Sequence, residues 1–380
     1  MISSRPDLAA VLAFGMAALL TALVVPLVRR AGLRWGLTDQ PDARKQHTKP
    51  MVRLGGVGIV AGFVLALLLI WALGGFVDLP QRDGLIWTAL AGCLCFFVIG
   101  ISDDLFALPP LPRLALQLAV AMAVWTQGVR IGAIDLPFGV LGNPPGAIPL
   151  PDGLSLLATV IWLVGITNAI NWLDGLDGLA AGVSGIAAVG LLSVSYSLNQ
   201  PAPGLLAAAL AGSCLGFLRH NFNPARIFMG DGGSYFLGFA LAAISIIGPA
   251  KGLTSVSLLL PLLILSLPLA DMSAVIMGRL SQGRSPFYPD RRHLHHRLLR
   301  VGFSHRRTVV LIYAFTQWLV ALALVLANAE LRFLWLGLAT AVLIGVVIAC
   351  RRSLNREQEQ QQLAGAPDRE PAEVGGGERR

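Results

Sequence analysis

The stretch Leu154-Ser-Leu-Leu-Ala-Thr-Val-Ile-Trp-Leu-Val-Gly-Ile-Thr-Asn168-Ala-Ile-Asn171-Trp-Leu-Asp174-Gly-Leu-Asp177-Gly178 decides the fold, because an apolar run of membrane-crossing length closes in a row of amides and carboxylates. About 17 to 25 apolar residues cross the hydrocarbon layer as a helix. Outward from this stretch the same pattern recurs along nearly the whole chain of 380 residues, 55% hydrophobic and 13% charged, far below the roughly 25% charge of soluble domains. Mean hydropathy is +0.69. No soluble region is left that could bury a core of its own.

The windows fall near 8–28, 55–77, 84–101, 114–129, 154–171, 179–197, 203–218, 233–249, 254–277, 308–327 and 331–350. The expectation is an all-α polytopic membrane protein with about 11 transmembrane helices. Its membrane domain covers 1–350, and the polar residues 351–380 form a disordered cytoplasmic tail with a helical start allowed. The first window is long and is followed by Arg29, Arg30 and Arg34, which favours a retained helix over a cleaved signal. Cys93, Cys95, Cys214 and Cys350 lie in apolar stretches without metal or disulfide spacing, so they read as packing residues.

Charge fixes the orientation. If the connection after the first span is cytoplasmic, the connections on that side hold 24 of the 29 Lys and Arg, which places the N-terminus in the periplasm and the C-terminus in the cytoplasm by the positive-inside rule. The Pro- and Gly-rich segment 131–152 then reads as an external turn or hairpin.

Ionisable residues at membrane depth are costly and face a cavity or a partner, and here they gather on one face. Asp103 and Asp104 close the third span, Asn168, Asn171, Asp174 and Asp177 the fifth; Asn221 and Asp231 bracket the loop before the eighth; Asp271 ends the ninth. Adjacent Asp103 and Asp104 resist joint ionisation unless a cation is close; a bound divalent ion answers that, and a solvated helix end is the plain alternative. The polar residues of the fifth span recur every third position, and Gly175 and Gly178 give the chain freedom to unwind and turn them into one cavity. In Phe228-Met-Gly-Asp231-Gly-Gly-Ser234 a Gly-rich turn opens a helix, so backbone N–H groups are expected to hold phosphate and Asp231 to offer oxygen to Mg²⁺, unless Asp231 is an ordinary cap. The segment Asp290-Arg291-Arg292-His293-Leu-His295-His296-Arg297 suits phosphate oxygens. A zinc half-site is disfavoured there, since no cysteine accompanies it and arginines repel a cation. The basic loop from Asp39 through Arg44, Lys45, His47 and Arg53 to Gly55-Gly56 reads alone as a topology signal or lipid head-group contact.

Together, Asp103-Asp104, the Asn168–Asp177 run, Phe-Met-Gly-Asp231-Gly-Gly-Ser and His293-Leu-His295-His296 resemble, over about residues 30–305, the polyprenyl-phosphate N-acetylhexosamine-1-phosphate transferases. Arg44-Lys45-Gln-His47 and the 290–297 segment are similar to the WecA and TagO branch, which uses UDP-GlcNAc; the related MraY branch carries three consecutive histidines, a run that Leu294 interrupts here. The resemblance implies transfer of GlcNAc 1-phosphate from UDP-GlcNAc to undecaprenyl phosphate with release of UMP, at the cytoplasmic face of a bacterial inner membrane, to start a cell-envelope glycan. It implies Mg²⁺, with Mn²⁺ as an alternative ion, held by Asp231 and Asn171. It places Asp103 or Asp104 as base, though a lipid phosphate is already nucleophilic near neutral pH, and positioning by Asp104 suffices. Asp103, Asp104, Asp231, His295 and His296 form the catalytic set. Lys45, His47, Asn168, Asp174, Asp177, Asn221, Arg291, Arg292, His293 and Arg297 are the expected substrate contacts. The lipid bilayer is a partner, a homodimer is allowed for, and no nucleic acid is expected. The alternatives are transfer of phospho-MurNAc-pentapeptide and, from another class, an ion-coupled transporter, which would carry midplane charges in paired broken helices.

Overall fold

The computed structural model describes residues 6–39, 50–76, 83–136, 146–247, 258–285 and 292–364. It is helical almost throughout: α1 (Pro6–Arg34), α2 (Gly55–Ala72), α3 (Asp83–Phe106), α4 (Pro110–Thr126), α5 (Asp152–Leu173), α6 (Leu179–Ser197), α7 (Pro201–Asn221), α8 (Gly230–Ile247), α9 (Leu259–Ile264), α10 (Ser266–Leu280), α11 (Leu294–Arg300), α12 (His305–Leu326) and α13 (Arg332–Ala364). Two small antiparallel pairs complete it, β1 (Thr38–Asp39) with β2 (Met51–Val52) and β3 (Ala133–Leu136) with β4 (Gly146–Pro149).

Nine helices among the described residues, 18 to 29 residues long, are long and apolar enough to cross a membrane. The expected 114–129 span appears as the 17-residue α4. The expected 254–277 span is not continuous: among its described residues it breaks at Leu265 into α9 and α10. Pro268 explains the break, since it has no N–H to donate and fits only the first turn of a new helix. The last helix runs to Ala364, so the segment after 350 begins as helix; residues 365–380 lie outside the described ones.

α8 is the central element. Every residue in it except Asp231 is buried, and it packs against α2, α3, α5, α6 and α7. The buried face of α1 carries a stripe at every fourth residue, Ala9, Ala13, Ala17, Thr21 and Val25, set against the alanine- and glycine-rich α7. Small residues let backbones approach where lipid removes any hydrophobic drive between helices. Large apolar side chains instead face outward: Leu19, Leu23 and Leu27 on α1, Leu157 and Ile161 on α5, Phe333, Trp335 and Leu338 on α13. Such a surface suits hydrocarbon and not water.

The bundle has two unlike ends. At one, the antiparallel pairing of β3 with β4 agrees with the hairpin expected in 131–152, and it is tied to α5 by Ile131 N donating to Thr159 Oγ1 (2.9 Å) and Ser155 Oγ donating to Ile131 O (2.7 Å). At the other, the end of α3 meets the starts of α2 and α8. Gly55 N and Gly56 N donate to Phe228 O (2.9 Å) and Met229 O (2.8 Å), and a Cβ at Gly56 would collide with the Gly233 backbone.

Because backbone cannot yield as a flexible side chain can, Gly56→Ala is expected to cost about 1–3 kcal/mol and lower the melting midpoint of the detergent-purified protein. Gly15→Ala, with open space around it, is the control and is expected not to lower it.

Candidate active site

The acidic residues expected on one face do converge. Asp103 and Asp104 sit in the last turn of α3, whose helix runs past them to Phe106. Asp103 is buried and takes Arg113, from the first turn of α4, as ion-pair partner, while its Oδ1 accepts from Leu108 N (2.9 Å). Asp104 turns the other way: its Oδ2 accepts from Gly232 N (3.0 Å) and Arg53 Nη2 lies 3.6 Å from its Oδ1. That Oδ1 is buried without a hydrogen-bond donor.

The contact with Gly232 changes one expectation. The Gly-rich start of α8 does not stand open as a phosphate cradle, because Asp104 occupies an N–H of its first turn and places a carboxylate at the positive end of the helix. Gly230 makes this possible: its φ is +77°, and a Cβ there would strike Arg53 O and the Asp104 carboxylate.

Asp231, one residue on, accepts from Asn171 Nδ2 at Oδ1 (2.8 Å); the same amide reaches Ser234 Oγ (2.9 Å). Asn171 lies in the last turn of α5, and after Asp174 the chain unwinds to Gly178 (φ +80°), as its glycines suggest. Burial pushes the Asp174 carboxyl up to about 7, and the Asp231, Asp104 and Asp177 charges push the same way against Arg53.

Asp177 and Asn168 of the fifth-span motif, and Asn221 at the end of α7, each hydrogen-bond other groups of the protein. Asp177 Oδ2 accepts from Asn223 Nδ2 (2.9 Å) and Ala225 N (3.0 Å). Asn221 Oδ1 accepts from Gly178 N and its Nδ2 donates to Ile227 O, both 2.9 Å. Asn168 Nδ2 donates to Gln117 Oε1 and Val164 O, both 2.8 Å, away from the carboxylates.

The histidines build the adjoining wall. His293, His295 and His296 are in ring contact in sequence order, at 5.7 and 4.3 Å between neighbouring centroids. His295 is buried against Gly175, where any side chain would take the space of the imidazole. Burial and the neighbouring histidines hold His295 down to about 3, which favours the uncharged ring, and its Nδ1 lacks a partner. His293 is bonded to Asp271 (Nδ1 to Oδ2, 2.9 Å) and meets Trp172, whose ring the Arg279 guanidinium covers at 4.9 Å. Arg292 bonds Gly278 O and Gln282 Oε1, and Arg297 Nε donates to Arg292 O. Lys45, His47 and Arg291 lie outside the described residues.

Three contributors escaped the sequence reading of the site. Arg53 was visible only as part of a basic loop, Arg113 only as a lone charge ahead of an apolar window, whereas Asp271 stood with the acids without a partner to give it a role. Among the described residues no three His, Cys, Asp or Glu side chains enclose a metal ion by themselves. The donor set still fits Mg²⁺, which takes one or two carboxylates and fills its shell with phosphate and water oxygens: Asp231 and Asp104, whose Oδ1 accepts no hydrogen bond, supply the first kind.

Comparison with known proteins gives the family. The model of glycosyl transferase family 4 matches residues 86–249. The chain is 36% identical over 332 residues, 86% of its length and 87% of the relative's, to a Bacillus subtilis protein named "Probable undecaprenyl-phosphate N-acetylglucosaminyl 1-phosphate transferase". It is 35% identical to a Mycolicibacterium smegmatis decaprenyl-phosphate N-acetylglucosaminephosphotransferase (78% of this chain, 77% of that one). It is 29% identical to the undecaprenyl-phosphate alpha-N-acetylglucosaminyl 1-phosphate transferase of Escherichia coli, over 77% of each chain.

The raised Asp174 carboxyl gives a pH test. Its contribution to stability is complete below the unfolded value of about 3.8 and is lost as pH rises through about 7. In chelator, the melting midpoint of Asp174→Asn is therefore expected to fall less than that of wild type between pH 4 and 7; equal slopes would show that the Asp174 carboxyl is not raised by its surroundings.

Proposed function

The chain belongs to the polyprenyl-phosphate N-acetylglucosamine-1-phosphate transferase family, and from that premise we propose that the carboxylate cluster and the imidazole wall are its active site. The protein is a bacterial-type membrane enzyme that transfers N-acetylglucosamine 1-phosphate to a polyprenyl phosphate. The donor is UDP-GlcNAc, the acceptor undecaprenyl phosphate, and the product a lipid-linked pyrophosphate sugar that starts a cell-envelope glycan. The site faces the cytoplasm across the inner membrane, since the connections expected on that side carry 24 of 29 Lys and Arg. A homodimer is compatible with this reading and is not needed for it.

The observation that carries the assignment is the meeting of Asp103, Asp104, Asp174 and Asp231, with Arg53 beside them, at one end of a membrane bundle. Joining two phosphates requires charge neutralisation and alignment more than covalent help from the protein. An acceptor phosphate oxygen attacks the sugar-bearing phosphorus, the phosphoanhydride bond breaks, and UMP leaves with the bonding electrons. Bound Mg²⁺ would neutralise the diphosphate, with Asp231 and Asp104 as its carboxylates and the Asn171 carbonyl oxygen as a further donor. Arg53 faces the incoming anion. Asp104 orients the reacting groups, because the acceptor needs no strong base. Asp103, tied to Arg113, fixes the end of α3 so that Asp104 points at α8. His295 lines the sugar nucleotide as a neutral imidazole with His296 beside it. Arg292 and Arg297, bonded into their own loop, shape the phosphate side; Lys45, His47 and Arg291 complete the set of cations for the nucleotide.

The test is UMP release by detergent-solubilised protein given UDP-GlcNAc, undecaprenyl phosphate and Mg²⁺. EDTA and, separately, Asp231→Ala are each expected to reduce turnover at least about 100-fold, in line with loss of a principal electrostatic contributor. Turnover unchanged by both would overturn the metal assignment, and release of UMP only with UDP-MurNAc-pentapeptide would overturn the sugar.

A further inference from the structure

Asp271 is buried on α10, outside the carboxylate cluster, and the transfer chemistry above gives it no task. Both of its oxygens are committed to the start of α11. Oδ1 accepts from Leu294 N (2.7 Å), capping that short helix from a neighbouring element, and Oδ2 lies 2.9 Å from His293 Nδ1. The side chains of the pair are 8% and 10% exposed. Capping alone would use one oxygen; the second defines the ring.

A carboxylate accepts and never donates, so the proton of His293 stays on Nδ1 and Nε2 is the pole left for any other partner. The ring cannot turn away. His295 stacks on it with planes 10° apart, Trp172 meets it at 78°, and Arg279 holds the indole of Trp172. Trp172 directly follows Asn171, whose amide holds Asp231. The imidazole is thus referenced to the same turn of α5 as the carboxylate cluster.

We propose that Asp271 is a positioning residue of the transfer reaction: it fixes His293 with the proton on Nδ1, so that the leaving phosphate of the nucleotide sugar, as it gains negative charge at Nε2 in the transition state, draws in a second proton from solvent and meets a charge-paired imidazolium. The proposal rests on the function assigned above. A charge-assisted hydrogen bond of this kind is stronger than one from a neutral ring, and the carboxylate behind the histidine supplies the difference.

Asp271→Asn separates this role from a structural one. Asparagine keeps an oxygen for Leu294 N but offers Nδ1 a donor, which moves the ring proton to Nε2 and removes the paired charge. Asp271→Asn is expected to melt near wild type while kcat falls about 10- to 100-fold with KM for UDP-GlcNAc changed less than about threefold. In a His293→Ala background it is expected to cost nothing further. Wild-type kcat in Asp271→Asn, or losses that multiply in the double variant, would overturn the proposal. Should the variant not fold, ¹⁵N shifts of labelled histidine in the wild-type protein, assigned with His293→Gln, decide the matter. A protonated Nδ1 is expected, and a bare Nδ1 with protonated Nε2 would overturn the proposal. If wild type releases no UMP from UDP-GlcNAc, the functional assignment fails instead, and the ¹⁵N shifts still report on Asp271.

Discussion

Like-charge repulsion among four carboxylates, drawn from the end of α3, the turn after α5 and the start of α8, governs this end of the molecule. Each is answered differently. Asp103 has a guanidinium, Asp104 a helix N–H and the Arg53 guanidinium at 3.6 Å, Asp231 an amide, and Asp174 shifts toward its neutral form. The sum is a site short of positive charge in a poorly solvated place. A substrate that brings two phosphates without a metal would add to the repulsion, so under the proposed function a divalent ion would accompany the diphosphate.

The bundle is built to hold those charges. α8 presents Asp231 from a helix otherwise buried along its whole length, so its position is set by packing on five neighbours. The close approach of α2 to α8 at Gly56 and Gly233, and the left-handed Gly230, let Asp104 reach the α8 backbone. Precision at the site thus comes from small residues where α2 and α8 begin, which let the two backbones meet.

Much of this was legible in the sequence, for physical reasons. Apolar windows near 20 residues report a helix in lipid almost without ambiguity, and the polar residues ending them had to share a face because burial elsewhere costs too much. The unwinding after Asp174 followed from Gly175 and Gly178. What the residues did not disclose was pairing. Asp103 and Asp104 are identical in composition and neighbours in sequence, yet successive side chains on a helix point about 100° apart, so one binds Arg113 and the other reaches α8. Asn168, Asn221 and Asp177 read like ligands and are engaged by the protein's own amides and backbone. The break at Leu265 was hidden because hydropathy averaged over a leucine-rich window cannot register the missing N–H of Pro268.

The claim at the centre is that the acids of α3, α5 and α8 form one cation-demanding site together with the substrate diphosphate. Electron paramagnetic resonance of Mn²⁺ titrated into the purified protein, with and without UDP-GlcNAc, measures that directly. One tightly bound Mn²⁺ per chain that needs the nucleotide sugar for full affinity, and that Asp231→Asn abolishes, is the expected result; Mn²⁺ that stays free in both conditions, or binds equally to the variant, would contradict it.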